Sequence, residues 1–283
     1  MTDAIVVKQY RRGKLADWQY LVILDACRYD VFAEIARERG WDEPLKVDTQ
    51  CHCTSWWYRK FWSREPPHDV HLISANPVPF SEWAWNAWRN FESAIWADPA
   101  GQAVKEQPEL AAIIAEKCQP PLSYTLFAPI IALRIFQAVK QPGERYLIHL
   151  MPPHLPFLGS RGRALFKRLG LKVDKSRNIY KAIQSYGREG NWDEVRACYK
   201  ENIEYALSHL ATFWHLFADG KTVITSDHAE ITGEASAVDG KGVYHHSHAI
   251  KKFPDLHEIQ RIVPWFEARK GVTWRGPAGA LRR

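Results

Sequence analysis

The chain alternates short unbroken apolar runs with longer stretches of helical spacing. Tyr20-Leu-Val-Ile-Leu24 runs straight into Asp25 and reads as a strand buried on both faces of a parallel sheet. Val31, Phe32, Ile35 and Ala36 then recur at helical spacing over residues 29–39, and Gly40 supplies a helix stop. A strand followed so closely by a helix opens an α/β unit. The same reading predicts strands at 70–74, ended by Asn76-Pro77, at 146–150, stopped by Pro152-Pro153, and at 222–225. A late strand is predicted at 261–265, where Pro264 suggests an edge or a strand end. Helices are predicted over Ser81 to Phe91, 108–117, 124–139 and Asp193 to Phe217. The last carries one apolar stripe that includes Val195, Tyr199, Ile203, Leu207, Leu210 and Trp214.

This pattern predicts one α/β domain over residues 1–270, with a mostly parallel central sheet sandwiched by helices. Residues 159–191 are polar, basic and weakly patterned, a candidate insertion or mobile lid. The tail 271–283 is rich in Gly, Pro and Arg and is expected to be loosely ordered. At 283 residues, 46% hydrophobic and 25% charged, the chain can bury a large core. No apolar run approaches the roughly 20 residues needed to cross a bilayer. The early charges Asp3, Lys8, Arg11 and Arg12 do not read as a secretory signal, so a cytoplasmic location is expected. Five cysteines, an odd number, then read as reduced thiols. Cys51 and Cys53 lie one residue apart, which is not the usual zinc spacing. The net charge of +6 suits a small anionic substrate. The basic residues gather only in short groups, the longest from Arg161 to Arg177, so nucleic-acid binding is disfavoured without being ruled out. Oligomeric state is not written in the sequence.

Candidate chemistry sits where apolar strands end. The first ends in Asp25, another runs through His149 toward His154, and a third ends in Asp227-His228. Sites in open α/β sheets form at the carboxyl ends of strands, so the sheet itself would gather these residues. A carboxylate at the end of a core strand needs a partner, and a metal ion is one. Each residue alone also fits a bland role as a cap or turn; their joint occurrence is what points to metal. The tract Val243-Tyr-His-His-Ser-His248 adds more imidazole.

Read in order, these segments resemble sulfatase-like members of the alkaline phosphatase superfamily. Leu21-Val-Ile-Leu-Asp-Ala-Cys-Arg-Tyr-Asp30 resembles that family's opening strand, His149-Leu-Met-Pro-Pro-His-Leu-Pro-Phe157 its H-x-x-x-P-H-x-P-[FY] segment, and Thr225-Ser-Asp-His-Ala-Glu230 its T-[AS]-D-H-G-E segment. Tyr244-His-His246 stands where the family has Y-G-H, followed by Val263-Pro264-Trp265. The set spans residues 20–266. Ala229 and His245 replace glycines of the pattern. The resemblance implies an alkaline phosphatase-like fold and a metal-dependent hydrolase or transferase of phosphate-type esters. It implies a nucleophile in Cys51-His-Cys-Thr-Ser-Trp-Trp57, with Thr54 first and Ser55 second, passing through a covalent phospho-enzyme. Asp25, Thr54, Asp227 and His228 would share one divalent ion, zinc or manganese. His149, His154 and His246 would bind a second ion or meet the ester oxygens. Arg28 and Glu230 would support the ligands or serve as plain surface and helix residues. The formylglycine signature C-x-P-x-R or S-x-P-x-R is absent around Cys51 and Cys53. Sulfate ester hydrolysis and a catalytically inactive binding module are the alternatives; Ala229 and His245 favour the latter, and the intact ligand set weighs against it.

Overall fold

The computed structural model describes residues 7–9, 17–62, 69–82, 87–97, 129–171, 176–235, 240–245 and 256–268. The helix expected over 108–117, the start of that expected at 124, His246 and the tail 271–283 lie outside them.

The strands are β1 (Val7–Lys8), β2 (Tyr20–Leu24), β3 (Leu45–Asp48), β4 (Val70–Ser74), β5 (Ser93–Trp96), β6 (Arg145–Leu150), β7 (Thr222–Thr225), β8 (Ile231–Ala235), β9 (Gly242–His245) and β10 (Ile262–Ala268). The helices are α1 (Tyr29–Glu38), α2 (Thr54–Trp62), α3 (Pro129–Val139), α4 (Ser160–Arg168), α5 (Ser176–Tyr186), α6 (Trp192–Thr212) and α7 (His257–Arg261). Eight strands form one sheet in the order β1-β3-β10-β7-β2-β6-β4-β5, while β8 and β9 pair as a separate hairpin. β7, β2, β6, β4 and β5 are mutually parallel, and only β10 runs against its neighbours. The fold is therefore an α/β fold with a mostly parallel central sheet flanked by helices.

Strand alternation splits the core in two. Tyr20, Val22 and Leu24 face the larger cluster with α1, α3, α4, α5 and α6; Leu21 and Ile23 face the other way, toward Trp57, Tyr58 and Phe61 of α2. Both faces of β2 are thus apolar, which is why its sequence reads as an unbroken hydrophobic run. The described residues of 159–191 include α4 and α5, whose Leu165, Phe166, Ile179 and Ile183 join the larger core.

Three elements differ from expectation. β10 is neither an edge nor a strand end at Pro264: it lies between β3 and β7. Pro264 is tolerated there because β7 pairs only from Trp265 onward, so no N–H is needed on that flank at Pro264. Its carbonyl accepts the Thr225 hydroxyl at 2.6 Å. The helix expected over Ser81 to Phe91 is reduced, in the described residues, to a short 3₁₀ turn at Ala87–Asn90 followed by β5. The helix expected to run to Phe217 ends at Thr212, where the Phe213 N–H is shared between the His209 and Leu210 carbonyls, and a 3₁₀ turn, Trp214–Phe217, follows. Among the described residues no helix is long and apolar enough to cross a membrane.

Candidate metal centre

The carboxyl ends of β2 and β7 lie side by side, because the two strands pair in parallel with Ile23 opposite Thr225. Asp25 follows β2 and Asp227-His228 follows β7. One ligand atom from each of Asp25, Asp227 and His228 lies within 4.8 Å of the others, and all three side chains are buried. His228 Nε2 is 3.6 Å from Asp25 Oδ1 and 3.5 Å from Asp227 Oδ2.

The turn that carries Asp25 is strained and tied down. Ala26 takes φ 62°, a left-handed conformation unusual for a residue with a Cβ. Its N–H donates to Asp227 Oδ1 at 3.2 Å, and its carbonyl accepts the Tyr199 hydroxyl at 2.6 Å. Cys27 N–H donates to Ser226 Oγ at 2.8 Å. On the far side Gln9 Nε2 donates to Thr225 Oγ1 and to the Ser226 carbonyl at 2.8 and 2.7 Å, while its Oε1 accepts from Trp57 Nε1.

Thr54 is the first residue of α2. Its hydroxyl lies 3.4 Å from His228 Nε2 and 3.5 Å from Asn76 Nδ2. The amino end of a helix favours developing negative charge there. The Ser55 hydroxyl instead contacts Cys53 Sγ at 3.3 Å. Asn76, just past β4, also donates to Asp25 Oδ2 and so links Asp25 to Thr54. Sequence reading treated Asn76 only as a strand terminator. Its position at the carboxyl end of an apolar strand is the signal that flagged Asp25, and it applies equally to Asn76.

His149 sits within β6, on the face shared with α2. Its Nε2 is 3.2 Å from Asp25 Oδ2, and its Nδ1 meets the Tyr58 hydroxyl at 2.9 Å. Tyr58 lies four residues after Thr54, hence on the same face of α2. Burial first, and the Asp227 charge next, push the Tyr58 phenol pKa well up. His154 N–H donates to the Asp25 carbonyl at 3.0 Å, but both of its ring nitrogens are engaged by other groups, Nδ1 with the Leu155 carbonyl at 2.6 Å and Nε2 with the Tyr180 hydroxyl at 3.0 Å. Tyr180 also meets Glu230, which is fully buried. No sequence signal marked Tyr180, which lies in the weakly patterned 159–191. Arg28 is spent on a clamp: its guanidinium contacts Asp30, Thr232 Oγ1, Glu234 and the Glu230 carbonyl, tying α1 to the β8–β9 hairpin.

Burial alone would raise the Asp25 pKa; the imidazoles of His154, His149 and His228 outweigh it and hold the carboxyl below the usual carboxylate range. Asp25 Oδ1, Asp227 Oδ2 and His149 Nε2 are buried with no hydrogen-bond partner among the described residues. A buried orphan of this kind costs about 1–3 kcal/mol, more for a charged group. Convergent carboxylate oxygens and imidazole nitrogens suit a divalent cation of the zinc or manganese type, which would give these atoms their missing partner. The residues present therefore fit such an ion.

No protein-family model matches the chain, and no curated protein sequence matches it. Among solved structures it is similar to the phosphonate monoester hydrolase of Agrobacterium radiobacter, at 14% identity and a TM-score of 0.46, over 90% of this chain and 68% of that one.

Proposed function

We propose that the chain is a metal-dependent hydrolase or transferase acting on phosphate-type esters, with Thr54 as its nucleophile. The observation that carries this reading is the buried Asp25–Asp227–His228 cluster, with partnerless carboxylate oxygens and the Thr54 hydroxyl beside it. Asp25, Asp227, His228 and Thr54 would hold the ion. When bound, a divalent ion would lower the pKa of a neighbouring hydroxyl and offset the charge of a phosphoryl group.

The rest falls to the chain. Asn76 holds Asp25 and orients the Thr54 hydroxyl. The positive amino end of α2 would favour the charge on phosphoryl oxygens. Thr54 Oγ attacks phosphorus as its proton leaves. The P–O bond to the alcohol breaks, and the alcohol departs with that electron pair and gains a proton. Water, or an acceptor alcohol, then attacks phosphorus, breaks the bond to Thr54 Oγ and restores the hydroxyl. The two carboxylates and the closed surroundings hold the nucleophile away from bulk water.

The test is a substrate screen with nitrophenyl phosphate, a phosphodiester, a phosphonate monoester and a sulfate ester, each with manganese or zinc. Peptide mapping of rapidly quenched enzyme accompanies it. Turnover of a phosphorus ester with a phosphoryl group on Thr54 supports the reading. Preferential turnover of the sulfate ester would replace it. Stoichiometric metal binding without turnover of any ester would mark a binding module instead.

A further inference from the structure

Among the described residues, two that carry a Cβ take a left-handed backbone, and both stand in turns that lead from a strand into a helix beside the metal centre. Ala26, at φ 62°, follows Asp25; Gln50, at φ 55°, follows β3 and precedes Thr54. β3 runs against β10, which runs against β7, so the turn at Gln50 lies at the same edge of the sheet as Asp25 and Asp227. Glycine, asparagine and aspartate settle most easily at such a φ, and glutamine is not one of them. A residue stays in so sparse a region only where its surroundings over-determine it. Here they do. Gln50 N–H donates to Asp48 Oδ1 at 2.7 Å. The Asp48 carboxylate is gripped in turn by the Arg261 guanidinium, with Nε at 3.0 Å, and the Arg261 carbonyl accepts the Thr49 N–H at 2.9 Å. Thr49 Oγ1 donates to the Cys51 carbonyl at 2.9 Å and accepts the Cys51 N–H at 3.0 Å. The Gln50 side chain then reaches forward, and its Oε1 accepts from Lys60 Nζ at 2.7 Å. Lys60 lies in the last turn of α2, the helix that Thr54 opens.

We propose that Gln50 is a positioning residue that sets where the Thr54 hydroxyl stands. Its backbone turns the chain from β3 toward the cluster, and its side chain ties that turn to the far end of α2. The helix cannot slide or pivot about its first turn without breaking the Lys60 bond or distorting the left-handed turn. The bond to Asp48 uses only the Gln50 N–H, which any residue but proline would supply. Only a long side chain with an acceptor at its end reaches Lys60. That is a reason for glutamine at a position glycine would fill with less strain. The placement is exacting at the other end. Thr54 Oγ1 lies 3.4 Å from His228 Nε2 and 3.5 Å from Asn76 Nδ2, so a shift of α2 by about 1 Å would take it out of reach. What the placed hydroxyl then does rests on the ester-hydrolase reading above.

The experiment uses the full chain and the variants Gln50→Gly, Lys60→Met and Gln50→Glu. Gln50→Gly keeps the left-handed turn and removes the bond to Lys60. It should melt near wild type, because the strain it relieves offsets the bond it loses. For the phosphorus ester that wild type turns over in the screen above, kcat should fall about 10-fold in Gln50→Gly and in Lys60→Met, with KM little changed. Gln50→Glu keeps both the acceptor and the reach and should recover most of the rate. Gln50→Gly and Lys60→Met combined should cost no more than either alone. A second readout needs no turnover. In calorimetry with manganese or zinc alone, Gln50→Gly should weaken binding about 10-fold when Thr54 is present, and by less than about 2-fold in the Thr54→Ala background. A loss of equal size in both backgrounds overturns the proposal, as does a kcat that merely follows the melting temperature across the variants, or no change in either readout. None of these touches the ester-hydrolase reading. If Gln50→Gly does not fold, Lys60→Met carries both readouts. A wild-type protein that binds the ion but turns over no ester sinks that reading, and calorimetry still decides this one. A wild-type protein that binds neither ion and turns over no ester sinks both.

Discussion

The two ends of β2 solve the same problem in opposite ways. At the amino end, Tyr20 packs edge-on against Phe136 and Phe217, and its hydroxyl donates to Asp219 at 2.7 Å; Lys140 closes the same carboxylate at 2.8 Å. Beside it the Tyr146 hydroxyl donates to the Val139 carbonyl and accepts from Gln141 N–H. The polar atoms named there have partners, and an exception nearby is the neutral Thr222 hydroxyl opposite Tyr20. At the carboxyl end, five residues away, Asp25 and Asp227 each bury a carboxylate oxygen with no hydrogen-bond partner, and His149 buries a nitrogen likewise. A fold able to satisfy one end could satisfy the other with similar side chains. Three such atoms together, each costing on the order of 1–3 kcal/mol, two of them carboxylate oxygens, form a group that could hold a metal ion.

The contrast is broken most directly at Thr54. Thr54→Ala should lower turnover by on the order of 10³-fold or more, as loss of a nucleophile does, while thermal stability stays near wild type. Unchanged phosphoesterase rates would remove Thr54 from the chemistry. Asp227→Asn comes next. It should lower metal affinity by about 10–100-fold in calorimetry, while the metal-free variant melts no lower than metal-free wild type, because a buried unpaired charge has gone. A metal-free variant that melts well below wild type would show that Asp227 is needed by the fold rather than by an ion.

How much of this was legible follows the same divide. β2, β4, β6 and β7 announce themselves, because burial on both faces makes each an apolar run. β10 was recognised but put at an edge or a strand end, because Pro264 hides the fact that β7 stops one residue short of it. β5 was not foreseen: its four residues, Ser93–Trp96, carry too little period to stand out. In the site, Asp25, Asp227 and His228 were legible because each follows an apolar strand, whereas Thr54 was singled out by the family resemblance alone. Asn76 and Tyr58 obeyed the same rules of strand end and helix face without being singled out. Gln9 and Tyr180 carried no local signal; only the tertiary fold brings Gln9 to Ser226 and Tyr180 to His154. His245, whose departure from the family pattern favoured the binding-module alternative, ends β9 with its ring near Tyr180.

Smaller substitutions sharpen the comparison from the satisfied end. Tyr20→Phe removes the hydroxyl bonded to Asp219 and keeps the ring. Burial, then Asp219, raise the Tyr20 pKa, so the phenol is neutral and acts only as a donor across the neutral range. The expected cost is about 1 kcal/mol in urea unfolding, with turnover and metal content unchanged. A change in turnover would show that the two ends of the strand are not independent.

The smallest expected effect lies at Ala26, and its sign is informative. The left-handed conformation costs a residue with a Cβ about 1–2 kcal/mol relative to glycine. Glycine in turn gives the unfolded chain more freedom, which costs about 0.4–1 kcal/mol on folding. Ala26→Gly should therefore raise stability by up to about 1 kcal/mol in urea unfolding. The same change loosens the turn whose N–H holds Asp227 and whose carbonyl is held by Tyr199, so turnover should fall by a few-fold as stability rises. At an ordinary turn the two quantities would have no reason to move in opposite directions. If Ala26→Gly lowers stability instead, the buried methyl packs well enough to outweigh its strain, and the turn is then held by its own core rather than kept for the cluster.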